Sequence, residues 1–506
     1  MSLKTAIFST TSLVFLAGAA SADVTAKNIW DDWKAYMSGF GYAVEAQEVM
    51  SGKTLQISDL SMTAPMPEGA GKLSITWGKI DFVENGDGTV NLVFPEVTPL
   101  SFSAQGPDGE VVSGVVEYTV KGMNMIASGD PSKVTYNYTA DELSLKLNEL
   151  EVEGEKFGAD VFTAEFASKD LVGSSVMEPG SIRKIVQEMK SGATNYVVNF
   201  REPGGDDTVA INGTIASLAF DGETNIPAEM NLENMAKSLE DGFSAAGGFG
   251  YTGSSAEFAF TDGGDTVSGT SSAESARIDV RMLADVLEYG GKSQGAAFSF
   301  SGGDIPFPVS ATLGEFAFKL LMPVSKSEDP SDFALGLTFG DFETTDLLWS
   351  MVDPGNVLPR DPATISFDLA GKAKMLFDLF DPEQMAAVED GEAMPAELRS
   401  LTLNNLLVSL AGAKLTGTGD FTFDNSDLES FDGFPKPTGG IDLALVGGNG
   451  LMDKLVQMGL LPQEQAMAAR MMMGLFTRPG EGDDSLTSKL EINEAGHILA
   501  NGQRVQ

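Results

Sequence analysis

The chain has 506 residues, of which 42% are hydrophobic, 32 are Lys or Arg and 73 are Asp or Glu, and its formal net charge is −41. A surface this acidic repels nucleic-acid phosphates and anionic lipid head groups, which argues against nucleic acid as a partner and against electrostatic docking to membranes. The chain contains no Cys and one His, which excludes disulfides and argues against zinc sites of the usual kind.

The first 22 residues have the pattern of a signal peptide. Lys4 precedes an apolar stretch at residues 6–16, and Ala20 and Ala22 form the small-x-small pattern that a signal peptidase cleaves before Asp23. The apolar stretch is shorter than the roughly 20 residues of a membrane-spanning helix. We therefore expect export to a Gram-negative periplasm, or alternatively secretion to the medium, with no transmembrane span in the mature chain.

Alternation of apolar and polar residues with a period of two dominates the mature sequence. It is clearest at residues 333–339, where large apolar side chains alternate with small or polar ones. Such alternation is typical of antiparallel sheets with one face in water, because strands buried on both faces are apolar throughout. The same pattern recurs at Leu143/Leu145/Leu147, Phe298/Phe300, Phe316/Phe318/Leu320, Ile365/Phe367/Leu369, Phe421/Phe423 and Ile441/Leu443/Leu445.

Clusters of Asn, Asp and Gly separate these predicted strands. Residues 85–88, 204–207, 262–265 and 501–502 supply the positive φ angles that tight hairpins need. We expect two β-rich regions, residues 23–200 and residues 201–506.

A few helices are predicted between the strands. Residues 28–40 are amphipathic, and residues 179–189, 232–239 and 281–289 are further candidates. The strongest prediction is a helix pair within residues 450–477, formed by residues 451–458 and 463–476. The second helix of the pair carries Met467, Met471, Met472 and Met473, a methionine stripe that we expect to face the core.

One apolar pattern occurs three times, and in each copy the period of two slips by one residue. Such a slip predicts a β-bulge or corner at which the strand swaps its apolar face. Either a duplicated strand module or chance recurrence in a leucine-rich chain explains the repetition. The copies are Leu55-Ile57-Leu60-Met62, Leu145-Leu147-Leu150-Val152 and Leu401-Leu403-Leu406-Val408. The predicted fold is therefore mainly β, with a few packed helices on elongated, curved antiparallel sheets.

Motifs that would carry chemistry are sparse. His497 follows a turn glycine and is expected in an exposed turn or strand. Residues 291–295 match the pattern G-x-S-x-G, but a nucleophile elbow needs a strand before it and a helix after it, and here a helix is predicted first. Gly290 and Gly291 are therefore interpreted as a helix C-cap.

Acidic residues do not define a site either. The acidic stretch 424–432 lacks the spacing of known calcium loops and is interpreted as a solvated loop. No pair of carboxylates can be chosen for glycoside hydrolysis. We predict no catalytic residue, metal site or cofactor, and the sequence does not identify residues that bind a ligand.

Three stretches, residues 29–42, 348–364 and 496–502, carry a resemblance to known proteins. On these residues the chain resembles a family of exported Gram-negative bacterial proteins catalogued as a domain of unknown function, over nearly all of the mature sequence. Its closing half is more loosely similar to β-rich AsmA-like envelope proteins. The resemblance implies a cellular location and a fold, and it implies no particular reaction. Trp30, Trp33 and Trp349 in these stretches are interpreted as packing anchors of helices that lie on the sheet.

Two functional hypotheses follow. The first is a non-enzymatic periplasmic protein that binds a lipid or another hydrophobic molecule on an apolar sheet face, because too few helices are predicted to cover that face. The second is a structural or protein-interaction module of the cell envelope with a closed core, whose partner is an envelope protein. A hydrolase with paired carboxylates ranks last.

Overall fold

The computed structural model describes residues 23–66, 71–106, 109–230, 234–303, 305–389 and 394–505. It confirms the predicted fold class, with 63% strand, 12% helix and 27 strands in one long antiparallel sheet. Asp23, the first residue after the predicted cleavage site, is exposed, whereas Ala20 and Ala22 lie outside the described residues.

The first part of the sheet begins with a helix and continues with strands of very unequal length. The elements are α1 (Ala26–Gly39), β1 (Ala43–Ser51), β2 (Thr54–Met66), β3 (Gly71–Trp77), β4 (Ile80–Glu84), β5 (Val90–Val93), β6 (Val97–Gln105), β7 (Val111–Lys121), β8 (Asn124–Asp130), β9 (Lys133–Val152), β10 (Glu155–Phe157), β11 (Phe162–Glu178), β12 (Ile182–Ser191) and β13 (Thr194–Arg201).

The second part has longer strands and five helices. The elements are β14 (Thr208–Pro227), α2 (Met235–Glu240), β15 (Ser244–Asp262), β16 (Asp265–Met282), β17 (Val286–Gly302), β18 (Ile305–Pro323), β19 (Ser331–Thr344), α3 (Asp346–Val352), β20 (Ala363–Met375), α4 (Pro382–Glu389), β21 (Ala396–Leu410), β22 (Ala413–Asp424), β23 (Lys436–Val446), α5 (Gly448–Gln457), α6 (Gln463–Phe476), β24 (Arg478–Pro479), β25 (Ser485–Ile492), β26 (Ile498–Ala500) and β27 (Gln503–Arg504).

Pairs of short strands lie end to end between long strands in the first part of the sheet. Strands β3 and β4 pair with different segments of β2, and β7 and β8 pair with different segments of β9. In the same way β12 and β13 both lie between β11 and β14. The sheet therefore continues without a break from the short strands into the long ones, and the predicted division at residue 200 stays a prediction.

From β14 to β22 every strand pairs with the strand before it and the strand after it in the chain, whereas β23 pairs with β22 and β25. The predicted turn residues close the tight hairpins. Gly263 and Gly264 have φ of 58° and 93° between β15 and β16, and Asn501 and Gly502 have φ of 52° and 81° between β26 and β27. Positive φ at both central residues is what a two-residue hairpin turn requires.

The main hydrophobic core lies under α1. Trp30 is fully buried and belongs to one cluster with Ile57, Phe82 and Tyr136. Trp33 Nε1 donates a hydrogen bond to the Tyr136 hydroxyl at 3.0 Å, and burial raises the pKa of that hydroxyl. Trp30 and Trp33 are thus packing anchors, as predicted.

A single row of side chains crosses the sheet from β1 to β25. Residues directly opposite each other on neighbouring strands share a face of the sheet. Almost every member of the row is apolar or glycine, so the sheet has one continuous apolar face. The row consists of Met50, Leu55, Phe82, Leu92, Met125, Tyr138, Gly173, Met189, Phe220, Phe249, Ile278, Gly291, Phe318, Leu337, Phe367, Leu406, Gly417, Leu443 and Ser488.

Strand β2 contains one extra residue, Asp59, in the left-handed conformation with φ of 51°. Its register with β1 shifts between Glu45 and Gln47, so two residues of β2 lie opposite one residue of β1. A left-handed residue is the usual way to absorb one extra residue in a ladder. Gly253 and Gly295 are also left-handed, with φ of 59° and 60°, but the register of β15 and β17 with their neighbours is the same on both sides of these glycines.

The bulges predicted from the recurring apolar pattern are confirmed in all three copies. Asp59 forms the first, and the register shifts between Val115 and Val116 opposite the second and between Asp368 and Leu369 opposite the third. The predicted swap of faces is wrong in the first copy, because Leu55, Ile57 and Leu60 all belong to the same core cluster. The extra residue compensates for the one-residue shift in the alternating pattern, so the apolar side chains of this copy stay on one face of the sheet.

All the strands predicted from alternation are confirmed, and so are the first helix and the helix pair near the end. The helix predicted at residues 232–239 is confirmed in part, since α2 begins at Met235 and residues 231–233 lie outside the described residues. Two further helices, α3 and α4, were not predicted. Within the described part of the chain, no helix has the length and apolar character needed to span a membrane.

Two predicted helices are wrong. Residues 179–189 fall largely in β12, and residues 281–289 cover the end of β16, a turn and the start of β17. In both segments the apolar residues happen to recur every three or four positions, which imitates a helix. Pairing with long neighbouring strands decides the conformation instead, and the proposed C-cap Gly290–Gly291 is the middle of a strand.

Candidate functional site

The apolar face is open to solvent in the middle of the sheet. Phe249, Ile278, Leu335, Phe339 and Ile365 are 47%, 52%, 44%, 42% and 52% exposed, and they lie on one face of β15, β16, β19 and β20. We call these five residues and the strands between them the open section. Single exposed apolar side chains are ordinary, but an aligned set of this size usually marks a binding surface.

The same face is covered over strands β2, β4 and β5. Leu55, Phe82 and Leu92 belong to the same row as Phe249 and Ile278, yet they are 3%, 0% and 2% exposed. Helix α1 lies over them and shares their core. The open section is therefore a property of the middle strands and not of the whole face.

The opposite face carries charges. Lys184 pairs with Glu223 at 2.7 Å and Lys292 pairs with Glu315 at 3.0 Å, in each case between two strands. Lys292 follows Gly291 of the apolar row, and successive side chains of a strand point to opposite faces. The sheet is thus amphipathic, and its polar face is the one suited to water.

The dimensions of the open section suit an extended hydrocarbon chain. Six strands from β15 to β20 with a spacing of about 4.8 Å give a width of about 24 Å across the strands. One leaflet of a bilayer is about 15 Å of hydrocarbon, half of a core about 30 Å thick. An acyl chain laid across the strands would therefore fit within the open section.

A cavity of about 630 Å³ lies between α3 and the ends of β19, β20 and β21. Ile365 and Ala363 are two positions apart on β20, so they share a face, and Phe342 lies directly opposite Ala363. Leu410 lies two positions beyond Val408, which is opposite Ile365. The cavity therefore opens onto the same face as the open section, and its volume is typical of sites for small molecules.

Arg360 and Trp349 form the polar end of this cavity. The guanidinium carbon of Arg360 lies 5.8 Å from the centre of the Trp349 ring, and Arg360 Nη1 donates to the carboxylate of Asp346. The Arg360 side chain is 24% exposed, whereas that of Asp346 is 91% exposed. Trp349 was interpreted as a packing anchor, and the structure adds that it holds an arginine at the edge of the apolar face.

Asp353 shapes the loop that carries Arg360. Its carboxylate accepts hydrogen bonds from the backbone N–H of Val357 at 2.9 Å and of Leu358 at 2.8 Å. These bonds, with the charge of Arg360 as a smaller contribution, lower the pKa of Asp353 below its ordinary value of 3.8. The loop is thus held by an ionised carboxylate.

This arrangement predicts acid sensitivity of the loop. Since the pKa of Asp353 is lower in the folded than in the unfolded chain, its stabilising contribution is present above about pH 4 and is lost as the pH falls through the folded value. Asp353→Asn should therefore lower the melting temperature at pH 6, and the difference from the unmodified protein should shrink as the pH is lowered toward 2. Thermal unfolding of both proteins across that range checks this, and an equal difference at both pH values would contradict it.

The other residues considered in the sequence do not come together. The backbone N–H of His497 donates to Asn493 in the turn between β25 and β26. Asp424 and Asp427 accept hydrogen bonds from Ser426 and Ser430 in a loop after β22. In the part of the chain that the structure describes, no group of three or more His, Cys, Asp or Glu side chains is placed to hold a metal ion.

The methionine-rich helix differs from its prediction. Met467, Met471 and Met472 on α6 are 63%, 69% and 57% exposed, so the stripe does not face the core. The C-terminal end of α6 is tied down by other contacts, since Ser488 Oγ and Asn501 Nδ2 both donate to the carbonyl of Phe476. The exposed apolar surface of the protein therefore includes this helix as well as the sheet.

Sequence reasoning did not identify the cavity beside α3. Residues 348–364 were singled out for the family resemblance, but no role was predicted for Arg360. The available signal was the Trp349–Arg360 pair on the two sides of the turn Asp353-Pro354-Gly355, since such a turn brings the two side chains back together.

Residues 250–500 match the model of a family described as uncharacterized protein conserved in bacteria (DUF2125). This match bears out the predicted family resemblance, over the second half of the chain rather than nearly all of it. No curated protein and no solved structure matches the chain. The looser similarity to AsmA-like proteins stays a prediction.

Proposed function

We propose that this chain, whose residues 250–500 belong to an uncharacterised bacterial family, is a non-enzymatic periplasmic protein that binds a lipid or another hydrophobic molecule on the open section. The observation that carries the proposal is the alignment of Phe249, Ile278, Leu335, Phe339 and Ile365, each 42% to 52% exposed, on one face.

A hydrocarbon is a better occupant of this face than a peptide strand. The backbone N–H and C=O groups of β15 to β20 are already paired with neighbouring strands. A peptide laid on the face would leave its own backbone groups without partners, which is costly away from water. Hydrocarbon chains have no such groups, and burial of both surfaces contributes about 25 cal/mol per Å² of apolar area.

The predicted location is compatible with a lipid ligand. Residues 1–22 have the pattern of a signal peptide, and the compartment beyond the inner membrane lies between two lipid bilayers. A protein there with an amphipathic sheet can keep its charged face in water and shield a hydrophobic molecule with the other. The high negative charge contributes solubility in that role.

Native mass spectrometry tests the proposal directly. The full chain is expressed with its leader, purified from the periplasm without detergent and weighed before and after solvent extraction. We expect an added mass in the phospholipid or fatty-acid range that extraction removes, and we expect the extracted protein to take up a fluorescent fatty acid. A single apo mass together with no uptake would overturn the proposal.

An envelope protein that covers the same face is the alternative. It is favoured by the exposed methionines of α6, because such surfaces adapt to protein partners. Cross-linking in the periplasm through a photoreactive residue at position 278 separates the two. Covalent attachment to one defined protein would support this alternative, whereas attachment to lipid would support the first function.

A further inference from the structure

The cavity beside α3 combines apolar walls, one arginine and several carboxylates at the edge of the open section. We propose that it binds the head group of a zwitterionic phospholipid whose acyl chains lie on the open section, an inference that rests on the proposed function.

The walls leave room for the glycerol and the first carbons of the chains. Phe342 and Leu410 are 44% and 50% exposed and lie on the apolar face, and Leu348 and Met351 of α3 form the other side of the cavity. A lipid bound between these walls is in contact with apolar surface all the way from the cavity to Ile365.

Arg360 supplies the group that recognises phosphate. A guanidinium has five N–H donors in a planar fork that fits phosphate oxygens. Arg360 uses Nη1 for Asp346, an almost fully exposed partner, and such exposed ion pairs are weak. Arg360 Nε is buried without a hydrogen-bond partner among the described residues, so the guanidinium has an unused donor.

The carboxylates decide which head group fits. Glu343, Asp346 and Asp361 also line the cavity, so it carries three negative charges against the single positive charge of Arg360. A head group with only a phosphate would be repelled by this excess and by the net charge of −41. A head group with both a phosphate and an ammonium satisfies Arg360 and the carboxylates together, as phosphoethanolamine does.

Binding of short-chain lipids tests the inference by isothermal titration calorimetry on the delipidated full chain. The probes are dihexanoyl phosphatidylethanolamine, dihexanoyl phosphatidylglycerol and free phosphoethanolamine, all in monomeric form. We expect the ethanolamine lipid to bind at least about tenfold more tightly than the glycerol lipid, since one charge-assisted contact accounts for such a ratio. Phosphoethanolamine alone should bind far more weakly than the lipid.

Two variants assign the effect to the cavity. Arg360→Gln should weaken binding of the ethanolamine lipid by about tenfold, because the charge-assisted contact with the phosphate is lost. Asp346→Asn, at a fully solvated position, cannot disturb the core and should raise the affinity for the glycerol lipid. Thermal melting of both variants confirms that they are folded.

The results that would overturn this inference differ from those that would overturn the proposed function. Equal affinity for the two lipids, or an Asp346→Asn variant with unchanged selectivity, overturns the inference while fatty-acid uptake still supports the proposed function. Tight binding of phosphoethanolamine alone overturns it too, because the site would then recognise a free phosphate ester. Loss of both lipid binding and fatty-acid uptake in the unmodified protein would overturn the proposed function itself.

Discussion

Ile278→Glu should reduce the uptake of a fluorescent fatty acid by at least about tenfold, because a carboxylate in contact with hydrocarbon either loses its hydration or takes up a proton at a cost above 1.4 kcal/mol. Ile278 lies in the row that crosses the open section and is 52% exposed, so the free protein tolerates the charge. Fluorescence titration of the delipidated protein measures the effect.

Ser275→Glu is the matched control. Ser275 lies on the same strand, β16, three positions from Ile278 and in register with Thr252 and Gln294 on the neighbouring strands, so its side chain points to the opposite, polar face. It adds the same charge to the same strand, so uptake should equal that of the unmodified protein. If both variants bind equally well, the ligand does not occupy the open section.

Trp30→Ala should lower the free energy of unfolding by about 3–5 kcal/mol, the range for removal of a large aromatic side chain from a core. Trp30 is fully buried, and its ring centre lies 6.2 Å from that of Phe82 under α1. Its loss leaves a cavity between the helix and strands β2, β4 and β9 that the surrounding residues cannot fill. Urea unfolding followed by circular dichroism measures the change.

Met351→Ala provides the comparison for that measurement. Met351 is 65% exposed on α3, and substitutions at such positions change stability by about 0.5 kcal/mol or less. A small effect at Trp30 that matches the effect at Met351 would show that α1 does not anchor the sheet. Loss of α1 alone, with the later strands intact, would appear as a separate early transition.

The strands could be predicted because each has one face in water, so that apolar and polar residues alternate along its sequence. Residues 333–339 and 441–445 show this pattern, and both are strands. The apolar residues of segments 179–189 and 281–289 have the spacing of a helix, but the conformation of these segments depends on strand partners up to 45 residues away in the chain. Local spacing contains no information about those partners.

The existence of an apolar sheet face could be predicted from the sequence, but the part of that face that is open to solvent could not. Alternation identifies the apolar side of a strand, yet whether Leu55 or Phe249 is covered depends on where α1 lies in three dimensions. The cavity at Arg360 could not be predicted for the same reason. Its two halves, Trp349 and Arg360, meet only because Asp353 holds the loop between them.

Because consecutive strands from β14 to β23 pair with one another, this part of the molecule should assemble and unfold one strand pair at a time. Contacts in this part are almost all between adjacent hairpins, so its cohesion is a chain of nearest-neighbour links, as in repeat proteins. Such an array can grow strand by strand, since each new hairpin can pair with the edge strand that has already formed. A substitution that weakens one strand pair should destabilise the adjoining strands most and the distant strands least.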